Sequence, residues 1–228
     1  MLFQLLSGRF TFQSIVAEIF AVLVIIFLIL PFHEWAHAFT ASLLGDKAIK
    51  QRGRLSFNPL SHIDPVGALF MLLVGFGWAK PVPIDPRNFK NPKVGMAVTA
   101  IMGPVANIVA AMAGYLIYNC VYYLAPTFFY SGFGMFVYYF ISFYISSNIT
   151  LAVFNLIPIP PLDGSKVLFM FLPDSAVNFF YKYQTIFFIV LFALMYLGAL
   201  NGIINWATSG ISYGINWLTS LPFRIFIH

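Results

Sequence analysis

The apolar run from Ser14 to Leu44 closes on ILPFHEWAHAF, which sets two histidines and a glutamate inside a stretch otherwise suited to lipid. Roughly 20 apolar residues cross a bilayer core, so the run spans it with turns to spare. In lipid each backbone group must be bonded within the protein, which makes the span a helix. An ionisable residue at membrane depth costs on the order of 2.5–3.5 kcal/mol by insertion scales, and three together mark a functional site.

The rest of the chain agrees. It is 61% hydrophobic and 8% charged, against about a quarter charged in soluble domains. Its 228 residues leave room for four or five spans and short connections. The expected fold is an all-α polytopic membrane protein: a bundle of about four to five transmembrane helices with a re-entrant segment and a small membrane-associated β-hairpin. One domain is expected over residues 1–228, with a core at about 14–167 and C-terminal helices at about 183–228. The first run is too long for a signal-peptide core and lacks a small-residue cleavage pattern, so it is expected to be retained. Cys120 is the single cysteine, which excludes an internal disulfide and a cysteine-based metal site.

Expected spans run from Ser14 to Leu44, Gly95 to Tyr118, Met135 to Leu156 and Thr185 to Leu200. The opening MLFQLLSGRFTF is expected on the membrane surface, and the tail from Ile211 to Ile227 either returns with Arg224 or does not span, so Arg224 is left unassigned. Between the first two spans, KAIKQ and RLSFN flank Arg52 and Gly53 and suggest the hairpin. VGALFMLLVGFGW, from Val66 to Trp78, is too short to cross and has basic residues on both flanks, so it should dip and return. The proline-rich KPVPIDPRNFKNPKVG reads as an extended loop. Gly103, Ala106, Ala110 and Gly114 form a small-residue stripe for close helix packing. This threading puts ten of the twelve basic residues on one side, the cytoplasmic one by the positive-inside rule. The net charge of +5 is thus an orientation signal, with nothing to suggest nucleic acid.

His33 and His37 stand four apart and share a helix face, at a spacing that holds one metal ion. In H-E-x-x-H the glutamate, Glu34, sits beside the metal as a proton acceptor for a bound water. A catalytic zinc takes three protein ligands and keeps one open position. Asp64, Asp85, Asp163, Asp174 and His62 are the candidates for the third. Asp163 is preferred, because NLIPIPPLDGSK breaks a span there and places a carboxylate at depth, with Gly164 letting the chain turn away. His62 is the competitor, with a hydrogen-bonding role as its other reading. Asn107 is either inter-helix glue or a cleft group that binds substrate or an oxyanion. Pro31, in the turn before His33, should bend the span or admit water.

HEWAH in a first long span, GPVAN in an inner one and NLIPIPPLDG at a span's end resemble the site-2 protease family, intramembrane zinc metalloproteases of peptidase family M50. The match covers about Val24 to Val167. GRLSFNPLSHIDPVG and FGWAKPVPIDPRNFKNPKVG resemble a compact bacterial and archaeal branch without PDZ or CBS domains. The resemblance implies one Zn2+ held by His33, His37 and Asp163, with Glu34 as base and Asn107 in the cleft. It implies a multi-pass protein of the cell membrane that cuts transmembrane segments of other membrane proteins, with the lipid bilayer as its other partner. Because a helix hides its peptide bonds, substrate must unwind, and the hairpin edge at 47–58 or the extended loop at 81–86 would pair with it. The alternative is a divalent-cation transporter or channel using the same His and Asp cluster.

Overall fold

A computed structural model describes residues 12–74 and 77–226. The surface segment expected at the N-terminus lies outside the described residues apart from Phe12, as does the end of the tail after Phe226.

Helix α1 runs from Phe12 to Leu43. Ile25–Ile29 is wound more widely, with the Leu30 N–H bonded back to the Ile25 carbonyl. The cause is local: the ring of Pro31 collides with the carbonyl four residues back, and a wide turn relieves the clash without ending the helix. Beyond Leu43, Gly45 adopts φ of 122°, and a side chain there would also meet the Asn88 carbonyl. Glycine thus lets the 80–91 loop close over the end of α1.

The hairpin expected over 47–58 is not formed. Ala48–Gln51 make a helical turn, α2, and residues 54–58 form no strand. KAIKQ has one strong apolar anchor, Ile49, which is fully buried among Ala38, Ala41, Val82 and Phe89. A single helical turn buries it while leaving Lys50 exposed. Among the described residues the β-pairing is one isolated bridge, Ile63 with Ala79. That bridge and the Lys80 N–H to His62 carbonyl bond of 2.8 Å join the two ends of the segment holding α3, Pro65–Val74. Ten residues of helix rise about 15 Å, half of a bilayer core of about 30 Å. The helix is thus too short to cross a bilayer, and residues 62–63 and 79–80 on either side of it lie together.

Helix α4, Pro92–Leu124, begins at Asn91, whose side chain accepts the Val94 N–H, followed by proline in the first turn. Helix α5, Gly132–Asn155, is capped by Ser131. The expected small-residue stripe of α4 is buried. At Gly114 a methyl would run into Ile145 and Tyr144 of α5, so the stripe sets the helix separation. After α5 the chain turns through a cis Pro160–Pro161 bond into α6, Asp163–Phe169. Gly164 has ordinary φ. Glycine is needed there because a Cβ would strike the carbonyls of Leu156 and Ile157, a close approach rather than the sharp turn expected.

Helices α7, Asp174–Lys182, and α8, Gln184–Tyr196, meet at a 66° bend. Helices α1, α4 and α5 are long and apolar enough to cross a membrane, and the bent pair adds a fourth if taken together. Among the described residues that makes three or four candidate spans, where about four to five are expected. Helix α9, Asn201–Phe226, carries polar side chains toward α4. Ser212 Oγ bonds Tyr115 OH, Asn119 Nδ2 donates to Asn216 Oδ1 at 3.1 Å and Thr219 Oγ1 at 3.0 Å, and Arg224 Nε donates to Tyr123 OH at 3.4 Å. Residue numbers rise together along these contacts, so α9 runs parallel to α4. Arg224 therefore sits at the Leu124 end of α4, opposite the basic loops.

Candidate metal centre

Helix α1 delivers His33 and His37 on one buried face, and α6 brings Asp163 against them. The two Nε2 atoms are 3.0 Å apart. Asp163 Oδ2 lies 3.3 Å from His33 Nε2 and 3.1 Å from His37 Nε2. Tetrahedral zinc with ligands about 2.0–2.1 Å away separates its ligand atoms by about 3.3 Å, so this triangle fits one face of such a site. Among the described residues this is the one cluster of three metal-ligating side chains.

The outer nitrogens decide the tautomers. His37 Nδ1 donates to the Thr99 carbonyl at 2.7 Å, and His33 Nδ1 donates to Asn107 Oδ1 at 3.3 Å. Both Nε2 atoms are then lone-pair donors facing a carboxylate oxygen, an arrangement that a cation between them completes. Thr99 and Asn107 both belong to α4, and Pro104 removes the N–H that would bond the Ala100 carbonyl, opening the helix beside Thr99. At Gly103 a methyl would collide with both imidazoles, so α4 can approach the histidines only with glycine there.

Asn107, one of whose expected places was the cleft, is fully buried behind His33 and does not line the cavity. Its side-chain contact is with the His33 ring. Glu34 does face the cavity, and its Oε2 accepts the Val82 N–H at 3.1 Å. That bond fastens the extended loop of Pro81 and Val82 beside the histidines. Lys166, which the sequence reading did not single out, donates to Asp163 Oδ1 at 2.9 Å. Its spacing of three from Asp163 on one helix was the available signal.

The other candidate ligands are engaged elsewhere. Asp64 accepts the Val66 and Gly67 N–H groups, each at 2.9 Å. Asp85 pairs with Arg87, whose hydrogen bonds hold its carboxyl down at about 2. Asp174 pairs with Lys93 at 2.8 Å. His62 is buried and donates from Nε2 to the Ser56 carbonyl at 2.8 Å, in line with the hydrogen-bonding reading.

The triangle opens on a cavity of about 600 Å³ with walls from α1, α3, α4, α5, α6, α8, α9 and the 77–84 loop. Most of its wall is apolar, with Met71, Trp78, Leu151 and Phe154 among the lining residues. The three metal-ligating side chains, the Glu34 carboxylate and the Lys166 ammonium group thus lie together on an otherwise apolar wall.

Comparison with known proteins points the same way. Residues 130–198 match the model of Peptidase family M50. The chain is 34% identical over 174 residues to "Putative zinc metalloprotease YwhC" of Bacillus subtilis, covering 76% of this chain and 78% of that one. It is 30% identical over 141 residues to the similarly named Rip2 of Mycolicibacterium smegmatis, covering 60% of this chain and 51% of the relative. With Rip2 of Mycobacterium tuberculosis strain H37Rv it shares 27% over 196 residues, 79% of this chain and 71% of the relative. No solved structure matches the chain. With YwhC aligned along most of both chains, and M50 matched across the turn that supplies Asp163, the chain belongs to peptidase family M50, the site-2 protease family.

Proposed function

We propose that this zinc metallopeptidase hydrolyses peptide bonds within or beside transmembrane segments of other membrane proteins. The observation that carries the reading is the His33, His37 and Asp163 triangle, buried among helices apolar enough to cross a membrane and open to an apolar cavity.

In this reading His33, His37 and Asp163 hold the zinc. When bound, it supplies a water of pKa near 7 and polarises the scissile carbonyl. Glu34 takes the proton of the attacking water and passes it to the leaving amine. The Val82 N–H holds Oε2 of Glu34, which fixes the carboxylate beside the ligand pair and leaves its second oxygen to carry the proton. Asn107 and Thr99 keep both imidazoles in the tautomer that turns Nε2 inward.

Substrate unwinds before attack, since a helix engages its own peptide groups. With residues 47–58 forming no strand, the extended loop at 81–86, whose Pro81, Val82 and Ile84 line the cavity, is the segment that receives the unwound chain. The dipping segment contributes Met71 and Trp78 to the same wall and serves as the gate. Asp46 on the loop after α1 accepts from Asp85 and Asn88, so the basic loops 47–54 and 80–93 share one side. The positive-inside rule makes that side cytoplasmic and gives water its entry there, in a multi-pass protein of the cell membrane.

The test is Glu34→Gln, assayed on a single-span model substrate in proteoliposomes beside zinc content. Cleavage should vanish while zinc stays near one per chain. Retained cleavage overturns the assignment, and Zn2+ flux across the same vesicles without cleavage by the wild type indicates a transporter instead.

A further inference from the structure

Asp163 uses its two oxygens differently. Oδ2 faces both histidines, at 3.3 and 3.1 Å, while Oδ1 is held 2.9 Å from Lys166 Nζ. Lys166 is the one Lys or Arg among the described residues lining the cavity, and its side chain is 30% exposed while that of Asp163 is 9% exposed. A solvated ammonium group could have stayed with water; here it reaches to the oxygen that does not face the histidines. The tether is short and local, since residues three apart on a helix share a face.

A carboxylate ligand can give a metal one oxygen or two. Two from Asp163 would fill the position that a hydrolytic water needs, because a catalytic zinc keeps three protein ligands and one open site. For Oδ1 to join Oδ2 on the metal, the carboxylate must turn and break the bond to Lys166. We propose that Lys166 is a positioning residue that confines Asp163 to single-oxygen ligation and so keeps the coordination position for water open. The proposal rests on the ligand set given above. It assigns Lys166 no contact with substrate: it acts through Asp163, as hydrogen-bonded partners behind metal ligands do, where mutation typically changes affinity or activity about 10–100-fold.

The experiment replaces zinc by cobalt(II), whose visible absorption weakens as coordination rises from four to five. Wild type, Lys166→Met, Lys166→Arg and Asp163→Ala are purified in detergent and checked for equal helical circular dichroism. Lys166→Met should bind cobalt with a weaker, higher-coordinate spectrum. In the zinc form its kcat should fall about 10–100-fold with KM little changed. Lys166→Arg, which keeps a donor for Oδ1, should restore the spectrum and most of kcat. A wild-type cobalt spectrum in Lys166→Met overturns the proposal, as does equal impairment of the Arg and Met variants. A raised KM with an unaltered spectrum would assign Lys166 to substrate instead. Asp163→Ala separates the two levels: if it keeps the wild-type spectrum the ligand set itself fails, whereas if it alone changes, only the role of Lys166 does.

Discussion

His33 and Asn107 meet through Nδ1 and Oδ1 at 3.3 Å, with the asparagine wholly enclosed. The amide nitrogen of Asn107 has no partner, so the side chain's one bond is the one that orients the imidazole. Replacing Asn107 by Leu should weaken zinc binding about 10–100-fold and leave KM for substrate unchanged. Chelator competition measures the first and steady-state kinetics at saturating zinc the second. Asn107→Asp, which keeps an acceptor, should bind zinc more tightly than the Leu variant. A raised KM with normal zinc affinity would return Asn107 to the cleft.

Gly103 is the place where α4 touches the two imidazoles, and a methyl there overlaps both. Gly103→Ala is favourable for helix propensity by about 1 kcal/mol, so the helix itself should persist. The rings must move apart or rotate, which separates the nitrogen atoms now 3.0 Å from each other. Zinc content should fall well below one per chain while helical circular dichroism stays at the wild-type level. Full zinc occupancy in this variant would mean that the rings relax without losing the triangle.

Much of this centre is legible in the sequence because it depends on local spacing. His33, Glu34 and His37 follow from one turn of helix, and Asp163 from prolines that cannot continue a span. What escapes is what depends on backbone groups or on distant packing. The Thr99 carbonyl that holds His37 leaves no side-chain signature, and the Val82 N–H that holds Glu34 comes from a loop 48 residues away. Ile49 illustrates the limit on local structure: alternation around it suits a strand, but the apolar pocket of Ala38, Ala41, Val82 and Phe89 that receives it favours a helical turn. The course of α9 was hidden for a related reason. Ser212, Asn216, Thr219 and Arg224 lower its hydropathy, yet each of them bonds to a side chain of α4.

Val82 stands between Pro81 and Pro83, so a third proline suits the extended backbone and removes the N–H given to Glu34, with its ring taking the place of the valine side chain that packs near Ile49. Val82→Pro should lower kcat several-fold with zinc affinity unchanged, because Glu34 loses its orientation but the ligands keep theirs. Unaltered kcat would show that Glu34 is placed by its own helix alone. Reduced zinc affinity would show that the loop supports the ligands as well.

Two polar contacts should differ in their weight for stability, and burial decides the order. Asn119 is buried and gives two bonds to α9, at 3.1 and 3.0 Å. Interhelical hydrogen bonds in membrane proteins average about 0.6 kcal/mol each with a maximum of about 1.7, so Asn119→Leu should cost on the order of 1–2 kcal/mol. Asp174 pairs with Lys93 at 2.8 Å, but its side chain is 85% exposed. Lys93 keeps a second bond of 2.7 Å to the Leu172 carbonyl. Asp174→Asn should therefore cost less than about 1 kcal/mol, within the range of exposed ion pairs. Unfolding in mixed micelles should rank Asn119→Leu as the more destabilised, and raising the salt concentration should narrow the difference between wild type and Asp174→Asn while leaving the Asn119→Leu deficit in place. The reverse ranking would mean that the link between α4 and the turn before α7 holds the C-terminal helices in place more firmly than the face shared by α4 and α9.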